Sequence, residues 1–125
     1  MKTKINDHGV ITTDDNLSSA LDIEVDTTFS KAFNVSVKTV TANFSASNEQ
    51  IILASTSDGA IQVELPNAKA NPGRIFTIKK IDDTANNITI TSPSSQLIDG
   101  STKATIGTAW ASYDLIASGS AWYIV

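Results

Sequence analysis

The chain has 125 residues, a formal net charge of −4 and no cysteine. That length holds one modest domain, with room for an extended arm. The missing cysteines exclude disulfides, thiolate metal sites and thiol nucleophiles, and the acidic balance argues against a nucleic-acid backbone, which demands clustered Lys and Arg.

Residues 1–34 read as an extended arm. Met1 to Asp7 has no apolar stretch after its lysines, so no signal peptide is expected, and no apolar run has the length of a membrane span. Val10–Thr13 favours a short strand. Asp15 or Asn16 is placed to cap a short helix over Leu17–Leu21, after which Ile23, Val25, Thr27 and Thr28 favour extension again. Acidic residues concentrate here, at Asp14, Asp15, Asp22, Glu24 and Asp26. Ordinary solvation explains them more simply than a basic partner does. The stretch carries too little apolar surface to fold alone, so it is expected to order against a neighbour or against the rest of the chain.

Residues 35–125 read as a β-rich domain. Phe33, Val35 and Val37 alternate with polar residues, and the phase then changes so that Val40, Ala42 and Phe44 form the apolar set. Such a change calls for a bulge or turn near Lys38 to Val40. Ile51–Ala54 ends at the turn former Ser57-Asp58-Gly59, and Ile61, Val63 and Leu65 alternate until Pro66-Asn67 stops the strand. Asn71-Pro72-Gly73 is a strong turn signal. Arg74–Ile81 follows as the longest strand, then a polar loop over residues 82–87, then Asn87–Thr91. Gln96–Ile98, Ala104–Ile106 and Ser112–Ile116 continue the series, with Asp99-Gly100 between the first two, and Trp122–Val125 is the last strand. Short strands spaced by turn signals, with no long helical pattern and no exact repeat, predict an all-β fold: a small antiparallel β-sandwich or barrel-like module.

Few residues offer reactive groups. His8 is the one histidine and has no second ligand at useful spacing. The adjacent carboxylates Asp14-Asp15 and Asp82-Asp83 sit in polar segments, where solvation is the ordinary role. Asp82, Asp83 and Asn86 offer oxygen ligands for a weak calcium site, but without the EF-hand spacing. The glycines are scattered at turns and build no phosphate loop. No catalytic residue, no metal and no cofactor is therefore expected, and the chain does not read as an enzyme. Trp110, Tyr113, Trp122 and Tyr123 cluster near the C-terminus. They suit a small β core, a subunit seam or an aromatic platform for a glycan. Trp110, between two alanines, is the one expected to be most exposed, and either Trp122 with Ile124 or Tyr123 with Val125 is expected in the core or an intersubunit contact.

Residues 50–125 carry a set of motifs in a characteristic order: Ile61-Gln62-Val63-Glu64-Leu65-Pro66-Asn67-Ala68, Asn71-Pro72-Gly73-Arg74-Ile75-Phe76-Thr77-Ile78-Lys79-Lys80, Asn87-Ile88-Thr89-Ile90, Ile98-Asp99-Gly100-Ser101 and Ser120-Ala121-Trp122-Tyr123-Ile124-Val125. This set resembles a β-rich module of tailed-bacteriophage fibre proteins (tail fibre, tailspike or head fibre). The resemblance implies a structural virion protein, homotrimeric, with the N-terminal region attaching to a capsid or tail protein of the same particle. A chain of this size is then expected as a small head or tail fibre, or as a capsid decoration subunit. Host-surface polysaccharide is the further partner it implies, with neither nucleic acid nor membrane among the partners. Assembly in the host cytoplasm and a place on the extracellular virion follow from the same resemblance.

Overall fold

The computed structural model describes residues 4–5, 11–12 and 32–125. The chain divides into two compact units, Met1–Phe33 and Asn34–Val125. In the first, β1 (Lys4–Ile5) pairs antiparallel with β2 (Ile11–Thr12), so that Ile5 lies beside Ile11. The helix expected over Leu17–Leu21 and the acidic run from Asp14 to Asp26 lie outside the described residues.

In the second unit the chain passes back and forth between two open sheets. β3 (Val37–Val40), β5 (Ile51–Ala54) and β7 (Ile75–Lys80) belong to one sheet, while β4 (Phe44–Ser45), β6 (Ile61–Glu64) and β8 (Ile88–Thr91) belong to the other. Successive passes therefore form three coils, each laying one strand on each sheet. Within a sheet the strands of successive coils run parallel. The final strands reverse: β9 (Lys103–Ile106) pairs antiparallel with β8, β10 (Ser112–Ser118) with β7, and β11 (Ala121–Ile124) with β10. The five-stranded sheet has the order β11-β10-β7-β5-β3 and the four-stranded sheet β4-β6-β8-β9.

The all-β expectation holds at this level, and two of its details are corrected. The sheets are mixed rather than antiparallel, and neither closes into a barrel. Parallel neighbours normally need a long crossover, commonly a helix. Here the crossover is itself a strand of the other sheet, which lets parallel pairing occur with short connections. Val37, Ile51 and Thr77 stack across the first sheet, and Phe44, Val63 and Ile90 across the second. The advance along the chain differs from coil to coil, so no fixed repeat is visible in the sequence.

Local chemistry explains the turns. Asn71-Pro72-Gly73-Arg74 closes with the Arg74 N–H donating to the Asn71 carbonyl at 3.1 Å, and Gly73 holds φ at 78°. Pro at the second position and a positive-φ Gly at the third define a type II turn. Asp99 and Gly100 have φ of 49° and 79°, and Ile98 and Ser101 exchange backbone hydrogen bonds of 2.7 and 2.9 Å. This is the two-residue hairpin loop that Asp-Gly favours. The strand expected over Gln96–Ile98 reduces to isolated bridges of Ile98 with Ser101 and Trp122. The phase change near residue 40 is a corner, not a bulge. β3 is unbroken, the chain bends at residues 41–42, and Asn43 Oδ1 accepts the Gln62 N–H at 2.8 Å beside the short β4.

The inward residues of both sheets belong to one hydrophobic cluster, which includes Ile52, Phe76, Ile78 and Leu115 from the five-stranded sheet and Ile61, Val63, Ile88 and Ile90 from the four-stranded one. Trp122 is fully buried, its ring 5.8 Å from that of Phe76, and its indole N–H donates to the Pro66 carbonyl at 3.1 Å. Arg74 stacks its guanidinium 4.2 Å above the Phe76 ring and donates to the carbonyls of Ser47 and Glu49. One side chain thus caps the aromatic pair and ties β7 to the segment before β5.

Candidate functional site

Two places gather side chains whose arrangement asks for an explanation: a buried polar corner, and the outer face of the five-stranded sheet.

The corner lies where the chain leaves β7. Inward alternation carries Lys80 into the interior with no solvent exposure, and Asp82 follows it into burial. Lys80 Nζ contacts Asp82 Oδ1 and donates to Thr56 Oγ1 at 2.7 Å and Thr84 Oγ1 at 3.3 Å. Asp82 also accepts the Thr56 N–H at 2.6 Å, the Thr84 N–H at 2.9 Å and the Thr84 hydroxyl at 2.6 Å. Asn86 Nδ2 donates to the Thr56 carbonyl at 2.8 Å. Burial alone would raise the carboxyl pKa. The Lys80 ammonium and the Thr84 and Thr56 donors outweigh it and hold Asp82 well below the usual carboxylate range. No buried side-chain polar atom among the described residues lacks a hydrogen-bond partner. This network locks the connection after β5 to the connection after β7. The solvated role expected of the Asp82-Asp83 pair is thereby corrected for Asp82, whose carboxylate is buried and committed to Lys80, Thr56 and Thr84, while Asp83 is exposed. Among the described residues no group of three or more His, Asp or Glu side chains is placed to hold a metal ion.

The outer face of the five-stranded sheet is the second place. Strand alternation and register fix which side chains point away from the core. Ile75, Ile116 and Tyr123 align in one row across β7, β10 and β11. Val37, Ile51, Thr77 and Asp114 form the next row, and Thr39, Leu53, Lys79 and Ser112 the third. Val37 is 52% exposed, Tyr123 46% and Ile75 41%, with Ile51, Leu53 and Ile116 half-buried among them. Its polar groups are already engaged: the Thr77 hydroxyl donates to Asp114 Oδ1 at 2.6 Å, and Lys79 Nζ donates to the Trp110 carbonyl at 2.5 Å.

The other sheet presents the opposite character. Its outward rows are Ser45, Glu64, Thr91 and Lys103, then Gln62, Thr89 and Thr105. All are polar. Two surface depressions at the first corner, one lined by Asn43, Phe44, Ser45, Gln62 and Glu64 and the other by residues that include Thr41, Asp58 and Ile61, adjoin this polar side.

The four aromatic residues singled out in the sequence separate in space. Trp122 is core and offers no surface to a ligand or a second subunit, so that part of the reading is corrected. Tyr113 points inward beside the core, its hydroxyl donating to the Thr105 carbonyl at 3.0 Å. Tyr123 stands on the apolar outer face. Trp110 is 56% exposed on the loop between β9 and β10 and holds φ at 63°. A bulky residue in the left-handed region costs about 1 kcal/mol. Sequence reasoning missed Val37, Ile75, Ile116, Lys79 and Asp114 as members of a surface. The available signal was that Ile51-Ile52-Leu53-Ala54 and Leu115-Ile116-Ala117 are apolar at consecutive positions, which makes a strand apolar on both faces.

No family model matches the chain, and no curated protein matches it either.

Proposed function

We propose that this protein is a structural subunit of a bacteriophage particle, a small fibre or capsid decoration protein that assembles with copies of itself through its β module. The observation that carries the reading is the asymmetry of the two outer faces: one sheet turns only polar residues outward along its paired rows, while the other sets the apolar residues Val37, Ile51, Leu53, Ile75, Ile116 and Tyr123 among its outward polar ones. Contiguous exposed apolar surface on a folded domain marks an interaction site. The order of motifs over residues 50–125, which resembles phage fibre modules, supplies the setting. In this reading the two sheets are the layers of a sandwich-like module, three copies associate, residues 1–34 attach the assembly to a capsid or tail protein, and the work is mechanical rather than catalytic. Capture tests it. Full-length protein should bind phage particles that lack it, and a chain without residues 1–34 should keep its own assembly but lose capture. Failure of the full-length protein to bind capsids or tails would overturn the reading.

A second reading, adhesion to host-surface glycan, is favoured by one observation. Trp110 is exposed in a backbone conformation that disfavours its side chain, the kind of strain kept at functional sites. Saccharide binding that disappears in Trp110→Ala, with the oligomer intact, would establish it.

A further inference from the structure

The outer face of the five-stranded sheet has a charge pattern that identifies its occupant. Amid Val37, Ile51, Ile75 and Ile116 stand one cation, Lys79, and one anion, Asp114. They sit on adjacent strands, Lys79 beside Ser112 and Asp114 beside Thr77, so they are diagonal neighbours. Each is hydrogen-bonded to a neutral group, Lys79 to the Trp110 carbonyl and Asp114 to the Thr77 hydroxyl, and neither takes part in an ion pair among the described residues. A partner for this face must cover apolar surface, set an anion against Lys79 and set a cation against Asp114. A second copy presenting the same face meets all three demands, since a symmetry axis passing between the two positions brings Lys79 of each copy to Asp114 of another.

We propose that copies of this chain associate through this face, with reciprocal Lys79–Asp114 pairs fixing the register. The inference rests on the self-assembly part of the functional reading and names the surface that performs it. Five strands of four to seven residues, spaced about 4.8 Å apart, make a face of roughly 300–400 Å². Two such faces together bury about 700 Å², below the range of standard tight interfaces. Association through this face alone is therefore expected to be concentration-dependent.

Light scattering over a dilution series of the full-length protein gives the first result, an average mass that rises above one chain with concentration. A monomer at every concentration, up to millimolar, overturns the inference. Capture by particles is scored separately, so a monomer that still binds particles refutes this surface and leaves the virion role standing. Lys79→Asp and Asp114→Lys should each lower association at least tenfold, with melting curves showing that the variants fold. The double variant K79D/D114K swaps both charges in every copy and should recover most of the association. A double variant no better than the singles overturns the pairing. Mixing the two single variants counts the copies: a ring of two satisfies both pairs and should form a one-to-one dimer, whereas a ring of three always keeps one mismatched contact and stays weak. Either result supports the face, provided that the double variant associates.

Discussion

The four-stranded and five-stranded sheets feed the same core and differ in what they turn outward. β6 and β8 read Ile-Gln-Val-Glu and Ile-Thr-Ile-Thr, with apolar residues confined to the inward positions. β5 and β10 instead hold apolar residues at consecutive positions, at Ile51-Ile52-Leu53-Ala54 and Leu115-Ile116-Ala117. The inward members of both sets pack alike. The outward members make one sheet a solvated wall and leave the other with apolar side chains uncovered on the outside of β3, β5, β7, β10 and β11. Inner faces of the two sheets should therefore respond alike to mutation, and outer faces should not.

The largest effects test the likeness. Trp122→Ala and Ile90→Ala remove fully buried side chains from the five-stranded and four-stranded sheets respectively. Each should destabilise the domain by about 2–5 kcal/mol, Trp122 toward the upper end because its indole N–H also leaves the Pro66 carbonyl. Denaturant unfolding measures both. A cost confined to one sheet would mean that the two do not share a cooperative core.

Next comes the corner through which the chain passes from one sheet to the other. Asp82→Ala strands Lys80 in the interior and should cost about 3 kcal/mol or more. Replacing both partners by apolar residues of similar volume, as in K80M/D82L, should recover part of that loss. The pair also sets an acid limit. Asp82 has its pKa depressed in the fold from an ordinary value of 3.8, so its contribution is complete above about pH 4 and is lost as pH falls through the folded value. The unfolded chain binds the proton first, and stability declines with acidification. Melting temperature against pH should therefore fall less steeply below pH 4 in Asp82→Asn than in the wild type. Equal slopes would show that other carboxylates set the acid limit.

Much of the architecture was legible in the sequence. The turns at Asn71-Pro72-Gly73 and Asp99-Gly100 demand specific dihedrals that few residues supply, so they declare themselves locally, and the alternation of β6 and β8 exposes their buried faces. Strand direction was not legible, because Ile61-Gln62-Val63-Glu64 reads the same whether its neighbour runs parallel or antiparallel. The coil repeat was hidden by unequal advances along the chain. The burial of Lys80 was not legible within the Arg74–Ile81 strand, since it depends on Thr56 and Thr84, which strand order alone brings to it. The choice between Trp122 and Tyr123 stayed open for a related reason: alternation sends them to opposite sides of one sheet, and only the packing of that sheet decides which side is buried.

The smallest effects on stability should carry the largest contrast in behaviour. Ile116→Ser on the five-stranded outer face and Thr89→Ser on the four-stranded one both alter half-buried outward side chains at the middle of a sheet. In the monomer Ile116→Ser should cost about 1 kcal/mol and Thr89→Ser under about 0.5 kcal/mol, since neither opens the core. Self-association should separate them. Ile116 lies between Ile75 and Tyr123, so a serine there puts a hydroxyl into the middle of the apolar row and should weaken association about tenfold, while Thr89→Ser should leave it unchanged. Sedimentation of the two variants at equal concentrations distinguishes them. If both weakened association equally, the polar wall would belong to the interface as well, and the division of labour between the sheets would have to be redrawn with the threonine rows as a contact surface.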